Sequence, residues 1–165
     1  MPLDEEARID LLERVLAIES RSFIEYLAKT APPYDIHQHP EVAAALEFII
    51  RDEDAIIEDI VALVEEAGAS PDVRVTFDLR LSSYNYLATS YTLRVIRDQL
   101  TKNLAVLDRV LAEAEAGAPD IADRLRDVRA HKQQHLATVE GLLSKLAGAG
   151  SVAGAPPASA PAAPK

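Results

Sequence analysis

The sequence contains no cysteine and no tryptophan, and only 5% of its 165 residues are aromatic. The absence of cysteine excludes disulfide scaffolds, thiolate zinc sites, iron–sulfur clusters and cysteine nucleophiles. Basic residues are scarce, because 17 lysines and arginines face 27 acidic residues and give a formal charge of −10. Nucleic acids and anionic membrane surfaces attract basic faces, so we expect neither of them as a partner.

Long apolar runs are missing as well. No segment approaches the roughly 20 apolar residues of a transmembrane helix. The first ten residues, MPLDEEARID, are acidic and do not have the apolar core of a signal peptide. We therefore expect a cytoplasmic protein. The composition, 48% hydrophobic and 27% charged, is that of one globular domain.

Proline and glycine divide the chain into four segments with helical periodicity. Ala31-Pro32-Pro33 ends the first segment, Gly68-Ala69-Ser70-Pro71 ends the second, and Gly117 ends the third. These residues stop a helix because proline cannot continue it and glycine adopts the left-handed conformation that follows its last turn. The segments predict helices at about 3–30, 40–68, 80–116 and 120–147.

Four helices of matched length predict an all-α fold, a four-helix bundle over residues 1–147. Residues 148–165 consist mainly of alanine, proline and glycine. Such a segment has no apolar face to bury, so it predicts a disordered tail.

The connection between the second and third helices is long. Residues 69–80, ASPDVRVTFDLR, alternate apolar and polar side chains in part of their length. A dozen extended residues reach roughly 40 Å, which is about the length of these helices. A short turn would suffice to join antiparallel neighbours. The segment therefore predicts a long crossover connection, with an ordinary long loop as the alternative.

Ionisable residues interrupt the apolar stripes near the middle of three helices. Glu19 lies in the stripe of the first helix, Glu53 in that of the second, and Lys132 and His135 in that of the fourth. Mid-helix positions of matched helices lie at nearly the same level, so we expect these four side chains to meet in the core. Because an isolated buried charge is strongly unfavourable, they must pair with one another or hold an ion.

The third helix has two apolar stripes, which spacing alone does not separate. One runs through Tyr86, Leu93 and Leu100, and the other runs through Tyr91 and Asp98. Asp98 would reach the four ionisable side chains only if the second stripe faced the core.

Three segments resemble helices of the ferritin-like superfamily, the bundle that includes rubrerythrins and bacterioferritins. AIESRSFIEYL resembles its first helix, RDEDAIIEDIVALVEEAGASP its second and VRAHKQQHLATVEGLL its fourth. The similarity covers most of residues 7–147 and implies a ferritin-like arrangement of the helices. Di-iron members carry a glutamate on helices one and three and Glu-x-x-His on helices two and four. The resemblance places Glu19 at the first ligand position, with Tyr26 seven residues further on.

Two of the ligand positions implied by the resemblance are changed. Ile56 stands where the histidine of the second helix belongs, and Lys132 stands where the glutamate of the fourth helix belongs. An ammonium supplies positive charge between two carboxylates without a metal, and it would repel a bound cation. We therefore expect a buried polar cluster in place of a di-iron centre, with no cofactor. Its predicted members are Glu19, Glu53, Lys132, His135 and Tyr26.

This interpretation favours a non-catalytic helical protein that acts through its surface or a small pocket, with a second copy or another protein as its partner. The alternative is an oxidase or iron-handling protein with an atypical site. A single iron or manganese ion would then be held by Glu19, Glu53, Asp98 and His135, because carboxylates with one histidine can bind either metal.

Two further groups of residues have metal-ligand character. His131 precedes His135 by one helical turn, and a His-x-x-x-His pair can bind metal from one face of a helix. We favour a half-exposed position at the edge of the stripe for His131, because two histidines alone make a poor site. Asp35, His37 and His39 form the other group, for which turn and cap roles are favoured over a surface metal site.

Overall fold

The computed structural model describes residues 2–30, 33, 35–71 and 88–152. These residues form an all-α fold, which confirms the predicted class. A single turn of 3₁₀ helix spans Ile36–Gln38. The α-helices are α1 (Glu5–Ser20), α2 (Phe23–Lys29), α3 (Pro40–Glu66), α4 (Thr89–Gly117) and α5 (Pro119–Val152).

The first predicted helix, 3–30, is divided into α1 and α2. Ser22 lies between them in an extended conformation, and its hydroxyl oxygen accepts a hydrogen bond from the backbone N–H of Glu25 at 3.1 Å. The N–H of Phe23 donates to the side-chain oxygen of Gln99 on α4 at 2.6 Å. The serine cap and the glutamine therefore satisfy donors that the start of a helix leaves without partners.

α4 begins at Thr89, because Ala88 before it is extended. Residues 80–87, which were predicted to be helical, lie outside the described residues, as does the predicted crossover segment after residue 71. Asp35 lies beside the start of α4. Its carboxylate accepts hydrogen bonds from the backbone N–H of Thr89 at 2.8 Å and from the Thr89 hydroxyl at 2.6 Å.

Two apolar clusters fill the interior. The first cluster includes Leu12 of α1, Ile60 of α3, Leu107 of α4 and Leu125 of α5. The second cluster includes Phe23 of α2, Ile49 of α3, Leu93 of α4 and Val139 of α5. Since α3 and α4 both pass from the second cluster to the first, they run in the same direction. α1 with α2, and α5, run in the opposite direction.

The ends of the connection between α3 and α4 therefore lie at opposite ends of the molecule. Glu66 closes α3 beyond the first cluster, while Thr89 opens α4 near the start of α3, where Asp35 binds it. At the other terminus α5 continues to Val152, past the predicted end at residue 147. The remainder of the predicted tail, residues 153–165, lies outside the described residues.

Among the helices formed by residues 2–30, 35–71 and 88–152, none combines the length and the apolar character that crossing a membrane requires.

Candidate functional site

Four ionisable side chains are buried at the level between the two apolar clusters. Glu19, Glu53, Lys132 and His135 are each at most 1% exposed. The sequence explains their position. Along the chain, each of the four residues lies between a residue of one apolar cluster and a residue of the other. Glu53, for example, lies between Ile49 of the second cluster and Ile56 of the first. We call these four residues the buried charge cluster.

Lys132 occupies the centre of the buried charge cluster. Its ammonium donates a hydrogen bond to Oε2 of Glu53 and forms an ion pair with Oε2 of Glu19. These carboxylates come from α1 and α3, while the lysine comes from α5. The lysine therefore links three helices through contacts that hydrophobic packing alone does not supply.

His135 extends the buried charge cluster towards the surface. Its Nδ1 lies 2.9 Å from Oε1 of Glu53. Its Nε2 lies 2.7 Å from Oδ2 of Asp52, but the contact does not have hydrogen-bond geometry. The same Asp52 oxygen lies 2.7 Å from Nδ1 of His131. The exposed fraction rises along this path, from 1% for the His135 side chain to 20% for Asp52 and 48% for His131.

The two buried glutamates differ in pKa. Burial, with a contribution from the neighbouring Glu53 carboxylate, raises the pKa of Glu19 to about 7, although the Lys132 ammonium acts in the opposite direction. Burial also acts to raise the pKa of Glu53, but hydrogen bonding to His135 and the charge of Lys132 lower it to about 2. Glu53 is therefore the carboxylate that stays ionised opposite the lysine at neutral pH.

The pKa of Lys132 is raised although burial acts to lower it, because the Glu19 and Glu53 carboxylates stabilise the ammonium. The lysine is therefore charged across the physiological range. The four side chains of the buried charge cluster have almost no contact with solvent, so a substrate would not reach them without rearrangement of the helices.

The residues at this level do not fit the di-iron centre that the family resemblance implies. The Lys132 ammonium lies against the Glu19 and Glu53 carboxylates, which are the groups that a metal would need as ligands. Ile56, at the position of a histidine ligand, is part of the first apolar cluster. The chemistry that this arrangement supports is internal charge pairing.

The structure places the predicted site residue Asp98 outside the buried charge cluster and packs Tyr26 in the second apolar cluster. Asp98 was an expected ligand in the alternative metal site, but its side chain is 58% exposed and pairs with Arg97 at 2.7 Å. The reason is the register of α4, whose buried stripe runs through Leu93, Ile96 and Leu100. Tyr26 is buried in the second apolar cluster, and its ring stacks on Phe23 with a centroid separation of 6.0 Å.

Two acidic residues that are not fully exposed were missed in the sequence, and one of them, Asp52, lies at the site. Asp52 contacts both histidines of α5, although it lies off the apolar stripe of α3. The sequence feature that could have identified Asp52 is its position next to Glu53, combined with the His-x-x-x-His pair on α5. Glu25 on α2 is buried and pairs with Lys29 at 2.8 Å, and its pKa is raised by burial. Of the predicted group Asp35, His37 and His39, Asp35 binds the start of α4.

A comparison of the chain with models of protein families, with curated protein sequences and with solved structures found no match.

Proposed function

We propose that the chain is a ferritin-like four-helix bundle in which the buried charge cluster replaces a di-iron centre. In this proposal α1 and α2 together form the first helix, and α3, α4 and α5 are the other three. The shared direction of α3 and α4 supports a long crossover between them, because the connection must return to the end at which α3 begins.

The proposed role is non-catalytic binding of a protein partner, either a second copy of the chain or another protein. The position of the Lys132 ammonium between Glu19 and Glu53 is the observation that carries this proposal. A cation at the same place would meet a fixed positive charge and would lose two carboxylate ligands to the lysine. The interior then stabilises the fold, and the surface is the part available for binding.

The alternative role, an iron- or manganese-dependent oxidase or iron-handling protein, has less support. Its four expected ligands were Glu19, Glu53, Asp98 and His135, and Asp98 points away from the other three into solvent. The remaining three residues already belong to the buried charge cluster, in which Lys132 pairs with both glutamates and Nδ1 of His135 contacts Glu53.

The test is a comparison of Lys132→Glu with Lys132→Met, each made in a His131→Ala background so that the half-exposed imidazole outside the buried charge cluster cannot contribute. Iron and manganese content is measured by elemental analysis after equilibrium dialysis under anaerobic conditions. We expect less than about a tenth of an ion per chain in the background protein, and less metal in Lys132→Met, which removes the ammonium without adding a ligand, than in Lys132→Glu. Lys132→Glu restores a carboxylate at the ligand position and should gain metal.

The proposal would be wrong if the background protein, with Lys132 intact, held close to one iron or manganese ion that Glu53→Ala removed. In that case the lysine would coexist with a metal in the interior, and oxygen chemistry would be the next property to measure.

A further inference from the structure

Three metal-ligand side chains converge on the outer side of the buried charge cluster, between α3 and α5. Asp52, His131 and His135 each offer one ligand atom, and these atoms lie within 4.8 Å of one another. The two histidines are four residues apart on α5 and therefore share a face of the helix. α3 runs antiparallel to α5 and brings Asp52 to that face. The proposed function uses His135 only through its contact with Glu53 and gives Asp52 and His131 no role.

The contact between Nε2 of His135 and Oδ2 of Asp52 requires positive charge, either a second proton on the ring or a bound cation. Nδ1 of His135 faces the Glu53 carboxylate at 2.9 Å, which assigns its proton to that side. Nε2 then presents a lone pair to the carboxylate oxygen of Asp52 at 2.7 Å. Nε2 is buried and has no hydrogen-bond partner among the described residues. In the neutral ring these two electron-rich atoms repel each other at this distance unless a positive ion binds both of them, and a second proton on the ring is the alternative.

We propose that Asp52, His131 and His135 bind one divalent ion of a first-row transition metal. The ligand atoms would be Oδ2 of Asp52, Nδ1 of His131 and Nε2 of His135. Metal bonds of about 2.1 Å place tetrahedral ligand atoms about 3.4 Å apart, so small side-chain movements from the present 2.7 Å contacts suffice. Two imidazoles and a carboxylate suit zinc, cobalt, nickel or iron and do not suit magnesium or calcium.

Glu53 supplies the support that such sites require. A metal-bound histidine usually donates its second N–H to a carboxylate, which orients the ring and makes the ligand nitrogen more basic. Glu53 holds Nδ1 of His135 in this way, and Lys132 in turn holds Glu53. The same buried charge cluster that excludes a metal from the interior thus positions a ligand for a metal at its outer edge.

The site is open to ions from the surface. The His131 side chain is 48% exposed, and it also lines a groove of about 270 Å³ between α3 and α5 with Ile60, Leu63 and Arg124. An ion could enter from this side and keep water in its remaining coordination positions. Because the ligands come from α3 and α5, binding would tie these helices together.

The test uses the full chain without a histidine tag. Co²⁺ is titrated and followed by its visible absorption, and Zn²⁺ is titrated by calorimetry, with Mg²⁺ as the ion expected not to bind. The chain has four histidines and no cysteine, so every imidazole can be tested without interference from thiols. We expect one Zn²⁺ or Co²⁺ per chain.

His131→Ala and Asp52→Asn should each weaken binding by roughly a hundredfold or more, since each removes a ligand while the partly exposed position leaves the core intact. The matched control is the double variant His37→Ala with His39→Ala, which removes the other two imidazoles and should leave the affinity unchanged. Glu53→Gln should weaken binding by roughly 10- to 100-fold through the orientation of His135.

An absence of Zn²⁺ and Co²⁺ binding to the unmodified chain would overturn this inference and leave the proposed function untouched. An affinity unchanged in both His131→Ala and Asp52→Asn would also overturn it. If that remaining binding were lost in Glu19→Gln, the ion would lie in the interior, and the proposed function would fail as well.

Discussion

At the residue scale, Lys132 is tolerated in the interior because its charge is matched within the core. A lysine in apolar surroundings usually loses its proton, since burial disfavours the ammonium. Here the Glu19 and Glu53 carboxylates contact the ammonium and raise its pKa. The three residues depend on one another, because removal of one partner leaves an uncompensated charge in a place that water does not reach.

Replacement of Lys132 by methionine should therefore destabilise the protein strongly. Methionine preserves most of the buried volume but leaves the Glu53 carboxylate, which stays ionised at neutral pH, without its ammonium partner. We expect the free energy of unfolding to fall by about 3–5 kcal/mol, the range found for broken buried ion pairs. Urea denaturation followed by circular dichroism measures the change.

The matched control is Lys145→Met, because Lys145 is exposed on the same helix. Its effect should stay within about 0.5 kcal/mol. Equal effects of the two substitutions would show that the buried ion pairs contribute little to stability.

The buried charge cluster was predictable because its four residues interrupt stripes of apolar side chains. Glu53 and Lys132 stand at positions where the periodicity requires leucine or isoleucine, and their depth along the helices matched. Asp98 was not predictable, because α4 has two stripes of similar apolar character and only packing selects between them. Asp52 was missed for a different reason. Its contacts with His131 and His135 depend on how α3 and α5 are rotated about their axes, and an acidic residue beside a stripe looks like any solvated position.

At the element scale, partners distant in the sequence define two of the helix starts. Ser22 caps α2 locally, but Gln99 of α4 binds the next N–H of that helix. The division between α1 and α2 was missed because Leu16, Glu19 and Phe23 continue the apolar stripe across it. A helix cap that does not shift the apolar stripe cannot be detected from the hydrophobic periodicity. Because serine is also common inside predicted helices, Ser22 alone does not indicate a helix boundary.

Asp35 provides the second distant cap, and it should make the stability depend on pH. Burial acts to raise the pKa of Asp35, but the hydrogen bonds from Thr89 and the nearby His39 lower it below the ordinary value of 3.8. A carboxylate with a lowered pKa stabilises the fold above its unfolded pKa, and this contribution is lost as the pH falls through the folded pKa.

Asp35→Asn keeps the shape of the side chain and removes its charge. At pH 7 we expect a loss of about 1 kcal/mol, the difference between charged and neutral hydrogen bonds at a helix start. The difference from the unmodified protein should shrink below pH 3.8, and urea denaturation across this range measures it. Asp127→Asn, at an exposed position of α5, is the control and should not show this dependence. A constant difference at all pH values would contradict the role of the charge.

At the scale of the whole molecule, the helical class follows from the composition and from the positions of proline and glycine, whereas the order of the helices in space does not. Proline and glycine near residues 32, 68 and 117 separate segments that each bury one face. The same segments could form an up-down-up-down bundle or a bundle with a crossover. Only the length of the connector argued for the crossover, and length alone does not determine a path. The contact between Asp35 and Thr89 brings the start of α4 to the start of α3, which is the placement that the proposed crossover requires.

The direction of α4 relative to α3 can be measured directly. The chain has no native cysteine, so pairs of introduced cysteines can carry spin labels without any other labelled site. Glu41 at the start of α3, Arg94 near the start of α4 and Ala112 near its end are exposed positions. With α3 and α4 in the same direction, the distance from Glu41 to Arg94 is the shorter one. The distance from Glu41 to Ala112 is longer, because about 27 Å of helix separates the two α4 positions.

Pulsed electron paramagnetic resonance gives both distances, and the pair Glu41 with Glu66 serves as a ruler of about 38 Å along α3. An up-down-up-down bundle reverses the order of the two distances, since α4 would then begin beside Glu66. The measurement thus separates the two topologies without reference to the path of residues 72–87. It also tests the basis for comparing this chain with ferritin-like bundles, because in that arrangement the second and third helices must run the same way.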